Sequence, residues 1–449
     1  MHIKQFEDKN LSHYSYAILD KTEKKLVLVD PARDTQAYLD YAKETGAQIA
    51  AVIETHPHAD FVSSHLELQQ ATGCTLYVSK GVEAAYPHQP FDDGQVFALG
   101  TTTFTAINTP GHSPDSISIL LKADGKQKAV FTGDTLFIGD CGRPDLRPGK
   151  GNAKEEAIKL AGQMYHSLRD KLMVLHDDVL VYPAHGAGTL CGKNLSKDSS
   201  STIGREKSSN WSLQDAAEQE FVQNLLTDQP FVPLYFSFDV ELNRKGAASL
   251  AETAKQIDIT SDWDAMQPEP ELWVVDTRPE SVFKEGHLPH AVNLMENGKF
   301  ETWLGSIIKP GEQFYLVAEN EAAVSAMIKR AGSIGYETCI KAAFAGNPGQ
   351  VKEAEIDLDK FRNHPGAYSI IDVRNNSEVK EGKIFANSIS IPLAELRSRV
   401  NEIPVDKPIV VHCAGGYRSA AASSILHAKL NGTVTVFDLG EAVKEFTSH

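Results

Sequence analysis

The chain has 449 residues, of which 41% are hydrophobic and 23% charged, a balance typical of soluble globular proteins. This length predicts about two to four domains. The formal net charge of −16 argues against a nucleic-acid surface and a patch for anionic membranes, so we expect neither partner. The polar first ten residues and the lack of a long apolar run favour a cytoplasmic location.

The N-terminal part alternates strands with helices. A hairpin is predicted over residues 11–31, a helix over 35–45 that ends at Gly46, and a buried strand over 49–53. Another helix is expected over 64–72. Such alternation favours sheets that are covered by helices.

Further along, the pattern predicts one helix from Trp211 to about Leu226. Residues 240–268 are interpreted as a connector, which closes in a proline-containing turn at 266–270.

Side chains that commonly bind metals follow several of the apolar strands. Three lie close together just after the strand at 49–53, and the others follow later strands, in turns that contain glycine. Histidine and aspartate delivered repeatedly to strand ends indicate a metal site rather than core histidines. These candidate residues are His56, His58, Asp60, His112, Asp134 and His185.

The ordered set resembles the metallo-β-lactamase superfamily over about the first half of the chain. This resemblance implies an αββα sandwich with a metal site at one edge of its sheets. Two runs, at 132–146 and 187–193, resemble the persulfide dioxygenases of this superfamily.

Phe61 departs from the superfamily pattern, which has a histidine there that helps to hold a second metal. We therefore expect one metal, for which the resemblance implies His56, His112 and Asp134 as ligands. Two imidazoles and one carboxylate are the ligand set of non-haem iron enzymes, so we expect one Fe(II) in the N-terminal domain. Zinc hydrolysis needs only an open coordination position and remains an alternative.

Four other side chains complete this predicted site. We expect His58, Asp60 and His185 to orient the ligands and the substrate. Cys191 either lines the mouth of the site and accepts or relays sulfur, or is an ordinary loop cysteine. The other cysteines outside the C-terminal region, namely Cys74, Cys141 and Cys339, are interpreted as buried thiols.

The C-terminal half contains an internal repeat. Both copies run from a strand through Asp-x-Arg to a helix, at 272–278 and again at 369–374, and both resemble rhodanese domains with parallel sheets. The predicted architecture is therefore an α/β multidomain chain. It has a metallo-β-lactamase domain at 1–245, an inactive rhodanese homology domain at 246–348 and a catalytic rhodanese domain at 352–449.

In the second copy, a strand delivers Cys413 to a loop that contains Gly415, Gly416 and Arg418 and precedes a helix. Outward backbone N–H groups, the helix terminus and Arg418 should favour the thiolate, which makes Cys413 the predicted nucleophile. Phosphate-cleaving relatives have a longer loop, so this one is expected to fit sulfane sulfur. The first copy has acidic residues and no cysteine at the equivalent place, near Glu319.

The two resemblances together imply a sulfide-detoxification enzyme. Its first domain would oxidise a low-molecular-weight thiol persulfide with O2 to sulfite and thiol. Cys413 would then pass sulfane sulfur to sulfite and give thiosulfate. The alternatives are a zinc thioester hydrolase of the glyoxalase II kind fused to a sulfurtransferase, and a sulfide-responsive scaffold. We also expect a homo-oligomer.

Overall fold

The computed structural model describes residues 1–146, 152–263, 269–346, 349 and 351–447. The chain divides into two compact units, one formed by Met1–Leu250 with Ser333–Gly335 and the other by Ala251–Gly332 with Tyr336–His449. Most of the predicted turn at 266–270 lies outside the described residues. No helix within the described ranges is both long enough and apolar enough to cross a bilayer.

The first unit contains two six-stranded sheets among its described residues. The strands of the first sheet are β1 (His2–Asp8), β2 (His13–Asp20), β3 (Lys25–Val29), β4 (Gln48–Ile53), β5 (Thr75–Val78) and β6 (Gln89–Pro90). Those of the second sheet are β7 (Val96–Leu99), β8 (Thr102–Asn108), β9 (Ile117–Ala123), β10 (Lys126–Gly133), β11 (Leu180–Pro183) and β12 (Ser201–Thr202). Each sheet keeps its strands in chain order and mixes antiparallel with parallel pairs.

Alternate residues of the strands face two different cores. Tyr16 and Ile18 of β2 pack with Phe104 and Phe131 of the second sheet, which places one core between the sheets. Ala17 and Leu19 of the same strand belong to another core, on the outer face of the first sheet. This period of two is expected for strands that are buried on both faces.

Helices cover both outer faces of the sandwich. Tyr38 and Leu68 pack on the first sheet, and Met164 and Phe221 pack on the second, so the predicted αββα order is confirmed. The helices of this unit are α1 (Gln36–Thr45), α2 (His65–Thr72), α3 (Ala153–His166), α4 (Ile203–Ser209), α5 (Glu218–Leu226) and α6 (Phe236–Lys245). The next helix, α7 (Leu250–Ala254), begins at Leu250, and its other residues belong to the second unit.

Two predictions for this region are wrong. The single helix predicted over 211–226 is broken into a short 3₁₀ turn and α5, because Asn210 caps the turn and the Trp211 indole donates to Asp140 over 2.7 Å. The predicted connector at 240–268 contains the end of α6, all of α7 and strand β13 (Ile259–Thr260). The helix α6 is fixed by the buried amide of Asn243, and a hydropathy pattern does not report such a tertiary contact.

The second unit contains two parallel sheets in its described part. The five-stranded sheet has the order β13-β17-β16-β14-β15, and the four-stranded sheet has the order β19-β18-β20-β21. The further strands are β14 (Trp273–Asp276), β15 (Ala291–Asn293), β16 (Phe314–Ala318), β17 (Ile340–Ala345), β18 (Ser369–Asp372), β19 (Ile389–Ser390), β20 (Ile409–His412) and β21 (Val436–Asp438). The further helices are α8 (Glu280–Glu285), α9 (Phe300–Ile307), α10 (Glu321–Gly332), α11 (Leu358–Asn363), α12 (Asn376–Glu381), α13 (Leu393–Arg399) and α14 (Tyr417–Leu430).

The repeated Asp-x-Arg motif has the same structural role in both copies. Arg278 pairs with Asp276 at 2.6 Å, and its guanidinium also donates to the Gly286 carbonyl at 2.9 Å. Arg374 pairs with Asp372 at 2.7 Å, and it donates to the carbonyl at the end of α12 in the same way. Each buried pair ties a strand end to the helix that follows it, so the motif stabilises the fold of the copy.

Candidate metal centre and cysteine loop

The structure brings His56, His112 and Asp134 together at the ends of strands in the first unit. His56 follows β4, His112 lies between β8 and β9, and Asp134 comes directly after β10. The Nε2 atoms of His56 and His112 lie 3.8 and 3.4 Å from Asp134 Oδ2. All three side chains are buried, and their donor atoms lie within 4.8 Å of one another.

The surroundings of the Asp134 carboxylate show whether a metal ion fits between these three side chains. It is only 1% exposed, and neither of its oxygens has a hydrogen-bond partner among the described residues. A buried carboxylate in this state is costly, and a bound divalent cation would offset that cost. The residues therefore fit a metal, and their types suit iron(II) or zinc.

Both candidate histidine ligands are oriented by a hydrogen bond at their other ring nitrogen. His112 Nδ1 lies 2.8 Å from the Arg143 carbonyl, so Nδ1 carries the proton and Nε2 faces the Asp134 carboxylate. Thr55 Oγ1 lies 3.0 Å from His56 Nδ1 and donates to Asp30 Oδ2 over 2.8 Å. Sequence reasoning missed Asp30 and Thr55, although Asp30 also follows an apolar strand.

The other predicted site residues form a second group of donors beside the first. His58, Asp60 and His185 are buried, and their donor atoms also lie within 4.8 Å of one another. His185 Nε2 lies 3.4 Å from Asp60 Oδ1 and 3.7 Å from Asp134 Oδ1. His58 is also close to a carboxylate behind it, 3.3 Å from Asp30 Oδ1.

Histidine and aspartate shift each other's pKa values in this second group. Burial lowers the pKa of His185, but the carboxylates of Asp60 and Asp134 outweigh it and raise the pKa to about 9. Burial raises the pKa of Asp60, but His185 and His58 outweigh it and lower the pKa to about 2. Both shifts reflect the close contact between the His185 imidazole and the Asp60 carboxylate, whose nearest atoms lie 3.4 Å apart.

Phe61 fills the space next to these donors with an apolar ring. It is fully buried, and its centroid lies 4.2 Å from the His58 ring and 3.9 Å from the His13 ring. Sequence analysis did not select His13, the first residue of strand β2, which pairs with His185. One histidine neighbour of Phe61 thus comes from the N-terminal strands.

Cys191 lies in the wall of the metal centre rather than in a remote loop. Its sulfur is within 4.8 Å of donor atoms of Asp134 and His185, and its side chain is buried. Burial raises the pKa of this thiol well above the usual range, and the charges of Asp60 and Asp134 raise it further. Cys191 therefore keeps its proton at neutral pH in this environment.

The cysteine loop of the second unit begins directly after β20. Cys413 is 2% exposed, and the Gly416 backbone N–H donates to its Sγ over 3.1 Å. Gly416 has φ +102°, a conformation that favours glycine, and Gly415 is exposed beside it. Of the backbone N–H groups expected around the sulfur, that of Gly416 points at it.

Arg418 follows this loop but is held by a carboxylate that sequence reasoning missed. Both terminal nitrogens of its guanidinium bind the Glu378 carboxylate, one of them over 2.8 Å. Glu378 is in the first turn of α12, where it also accepts from the Asn375 N–H in a capping box. The spacing Asn375-x-x-Glu378 was the signal in the sequence.

Two regions of the chain match protein-family models. Residues 9–185 match the metallo-beta-lactamase superfamily, and residues 357–449 match the rhodanese-like domain.

Two curated relatives resemble the first region. The mitochondrial persulfide dioxygenase ETHE1 of Bos taurus is 31% identical over 40% of this chain and 66% of its own length. This chain thus spans just under two thirds of that relative. The probable polyketide biosynthesis zinc-dependent hydrolase BaeB of Bacillus velezensis is 30% identical over 41% of this chain and 77% of its own length.

A solved structure extends the likeness beyond the first region. The metallo-beta-lactamase from Staphylococcus aureus is 27% identical and has a TM-score of 0.67, covering 77% of this chain and 99% of its own. The chain therefore belongs to the metallo-β-lactamase superfamily, and its metallo-β-lactamase domain is followed by a rhodanese-like domain.

Proposed function

We propose that this protein is a bifunctional sulfide-detoxification enzyme, with an iron(II) persulfide dioxygenase in the first domain and a sulfurtransferase in the last. The observation that carries the proposal is the buried Asp134 carboxylate, which faces the Nε2 atoms of His56 and His112 and accepts no hydrogen bond of standard geometry within the described residues. That donor set is the one used by non-haem iron oxygenases. The similarity to the Bos taurus persulfide dioxygenase supports the same reaction.

The overall reaction of the first domain balances without another oxidant. A persulfide RSSH, O2 and H2O give RSH, sulfite and two protons, so the terminal sulfur is oxidised and O2 is reduced. His56, His112 and Asp134 would hold one Fe(II), which would supply the redox activity that spin-paired persulfide needs to react with triplet O2.

The remaining residues of the site prepare the substrate and the ligands. Thr55 and the Arg143 carbonyl fix the histidine rings with Nε2 towards Asp134. His58, Asp60 and His185 orient the persulfide beside them, and the Phe61 ring keeps water away from this side.

In the last domain, Cys413 transfers sulfane sulfur in two balanced steps. The Cys413 thiolate attacks the outer sulfur of RSSH, which forms a Cys413 persulfide and releases RSH. Sulfite then attacks the outer sulfur of that persulfide, which gives thiosulfate and restores the thiolate. The Gly416 N–H stabilises the charge on Sγ at each step.

Oxygen uptake by anaerobically purified, iron-loaded protein tests the proposal. Glutathione persulfide, coenzyme A persulfide and bacillithiol persulfide are supplied in turn, and sulfite and thiosulfate are quantified. We expect O2 uptake with at least one of them, and a Cys413→Ser variant that accumulates sulfite instead of thiosulfate. An iron-loaded protein that consumes no O2 with any of them contradicts the proposal.

A zinc thioester hydrolase of the glyoxalase II kind is the second candidate. The similarity to a zinc-dependent hydrolase supports it, as does the second donor group of His58, Asp60 and His185. Zinc-loaded protein would then cleave S-lactoylglutathione, and iron-loaded protein would take up no O2 with persulfide.

A further inference from the structure

Tyr417 belongs to the cysteine loop, but its side chain contacts the preceding copy of the repeat. Its phenolic O–H donates to the Met295 carbonyl over 3.2 Å. Its ring lies against Gly298, where a Cβ would come within 2.5 Å of the Tyr417 Cε2 atom. The contact therefore requires a glycine at 298.

The segment that receives Tyr417 is itself held in place by Arg330. This guanidinium donates to the Glu296 carbonyl over 2.7 Å and pairs with the Glu301 carboxylate at 2.6 Å. Arg330 lies on α10, the helix that in this copy corresponds to α14 in the other. Residues 295–298 thus form an ordered surface rather than a free loop.

A second contact fixes helix α14, two turns beyond Tyr417. The backbone N–H of Asn293, at the end of β15, donates to Ser424 Oγ over 3.0 Å. Both Asn293 and Ser424 are buried. The helix α14 is therefore held by the preceding copy at Tyr417 and at Ser424.

We infer that the copy without a cysteine, residues 269–346, is a positioning domain for the Cys413 loop and acts through Tyr417. Tyr417 stands between Gly416, whose N–H binds Cys413 Sγ, and Arg418. Fixing the Tyr417 ring therefore fixes the backbone of both neighbours, including the Gly416 N–H that points at the sulfur. The inference rests on the sulfurtransferase function proposed above and gives the inactive copy a role in it.

A double-mutant cycle between Gly298 and Tyr417 tests this inference in the full chain. The probes are thiosulfate and cyanide: the Cys413 thiolate takes the outer sulfur and releases sulfite, and cyanide then removes that sulfur as thiocyanate. We expect Gly298→Ala and Tyr417→Ala each to lower kcat about tenfold, with KM changed less than about twofold.

The double variant separates positioning from general destabilisation. If Gly298 acts through the Tyr417 ring, adding Gly298→Ala to Tyr417→Ala lowers kcat no further. Losses in kcat that multiply in the double variant would show that the two residues act separately, which overturns the inference.

Tyr417→Phe keeps the ring and serves as the mildest variant. We expect kcat to fall about threefold, because only the bond to the Met295 carbonyl is lost. Tyr368→Phe, the same change in the apolar core of the last domain, is the control and should leave kcat unchanged. An unchanged kcat for Tyr417→Phe and Gly298→Ala in an active enzyme contradicts the positioning role, whereas an inactive wild type contradicts the sulfurtransferase proposal itself.

Discussion

Several of the candidate site residues are held in place by a second side chain that hydrogen-bonds to them. Asp30 holds Thr55, which lies against His56, and Glu378 holds Arg418. The sequence pattern identified His56 because it follows an apolar strand, as metal ligands often do. It identified Arg418 because it follows the strand that delivers Cys413. It did not identify Asp30 or Thr55, because a hydrogen bond between side chains far apart in sequence leaves no periodic signal. It also missed Glu378, for which the Asn375-x-x-Glu378 spacing was a local signal.

Removing the hydroxyl of Thr55 tests its role behind His56. Thr55→Val keeps the shape of the side chain, so we expect iron affinity to fall about tenfold to a hundredfold through a misoriented imidazole. Competition with a chromogenic chelator measures this affinity. Thr103→Val, on strand β8, is the matched control, and equal affinities for the two variants would show that Thr55 does not orient His56.

Neutralising Glu378 changes the charge that faces the cysteine loop. Glu378→Gln leaves Arg418 without its carboxylate, so we expect KM for thiosulfate to fall about threefold at low salt and this gain to shrink at high salt. Glu402→Gln is the control, because it removes one of the two carboxylates that pair with Arg399 on the surface. A salt-independent KM in Glu378→Gln would contradict this electrostatic effect.

Among the secondary-structure elements, helix α6 supports the loop after β4 that carries His56, His58 and Asp60. The Asn243 amide donates to the carbonyls of His58 and Phe61 over 2.9 and 2.8 Å, and its oxygen accepts from the Ser63 N–H over 2.8 Å. A single buried side chain thus satisfies three backbone groups of an otherwise irregular segment.

Truncating this side chain should loosen the loop. Asn243→Ala leaves three buried backbone groups unpaired, so we expect the free energy of unfolding to fall by about 2–4 kcal/mol. Urea unfolding of the first unit measures this loss. Asn224→Ala, on the exposed side of α5, should cost less than about 0.5 kcal/mol. A loss no greater for Asn243→Ala than for this control would mean that α6 does not support the ligand loop.

Much of the element order could be predicted from the sequence. The hairpin, the end of α1 at Gly46 and the helix after residue 64 have strong local signals in period, turn residues and caps. The errors at 211–226 and 240–268 lie where Trp211 and Asn243 bond to distant residues. The local sequence pattern predicts a helix or strand correctly unless a buried hydrogen bond to a distant residue favours another structure.

At the scale of the whole molecule, each of the two units carries one chemical site. The donors at His56, His112 and Asp134 belong to the first unit, and the Cys413 loop belongs to the second. Sulfite made by the first site is a substrate of the second in the proposed function. One copy of the repeat carries Cys413, and the preceding copy contacts the Cys413 loop through Tyr417.

Metal removal should affect the two units differently. A ligand that binds only the folded state adds about 3–4 kcal/mol when present at a hundred to a thousand times its dissociation constant. We therefore expect chelation to speed hydrogen exchange around Asp134 and to leave strand β20 unchanged. Equal acceleration in both places would contradict a metal held only by the first unit.

We propose that the centre formed by His56, His112 and Asp134 uses iron and O2 to oxidise a persulfide. Anaerobically purified protein loaded with iron should hold about one iron per chain and consume one O2 for each sulfite formed, and Asp134→Asn should abolish both the bound iron and the uptake. Iron-loaded protein that leaves every tested persulfide unoxidised in air, while a zinc-loaded sample cleaves thioesters, would contradict the account.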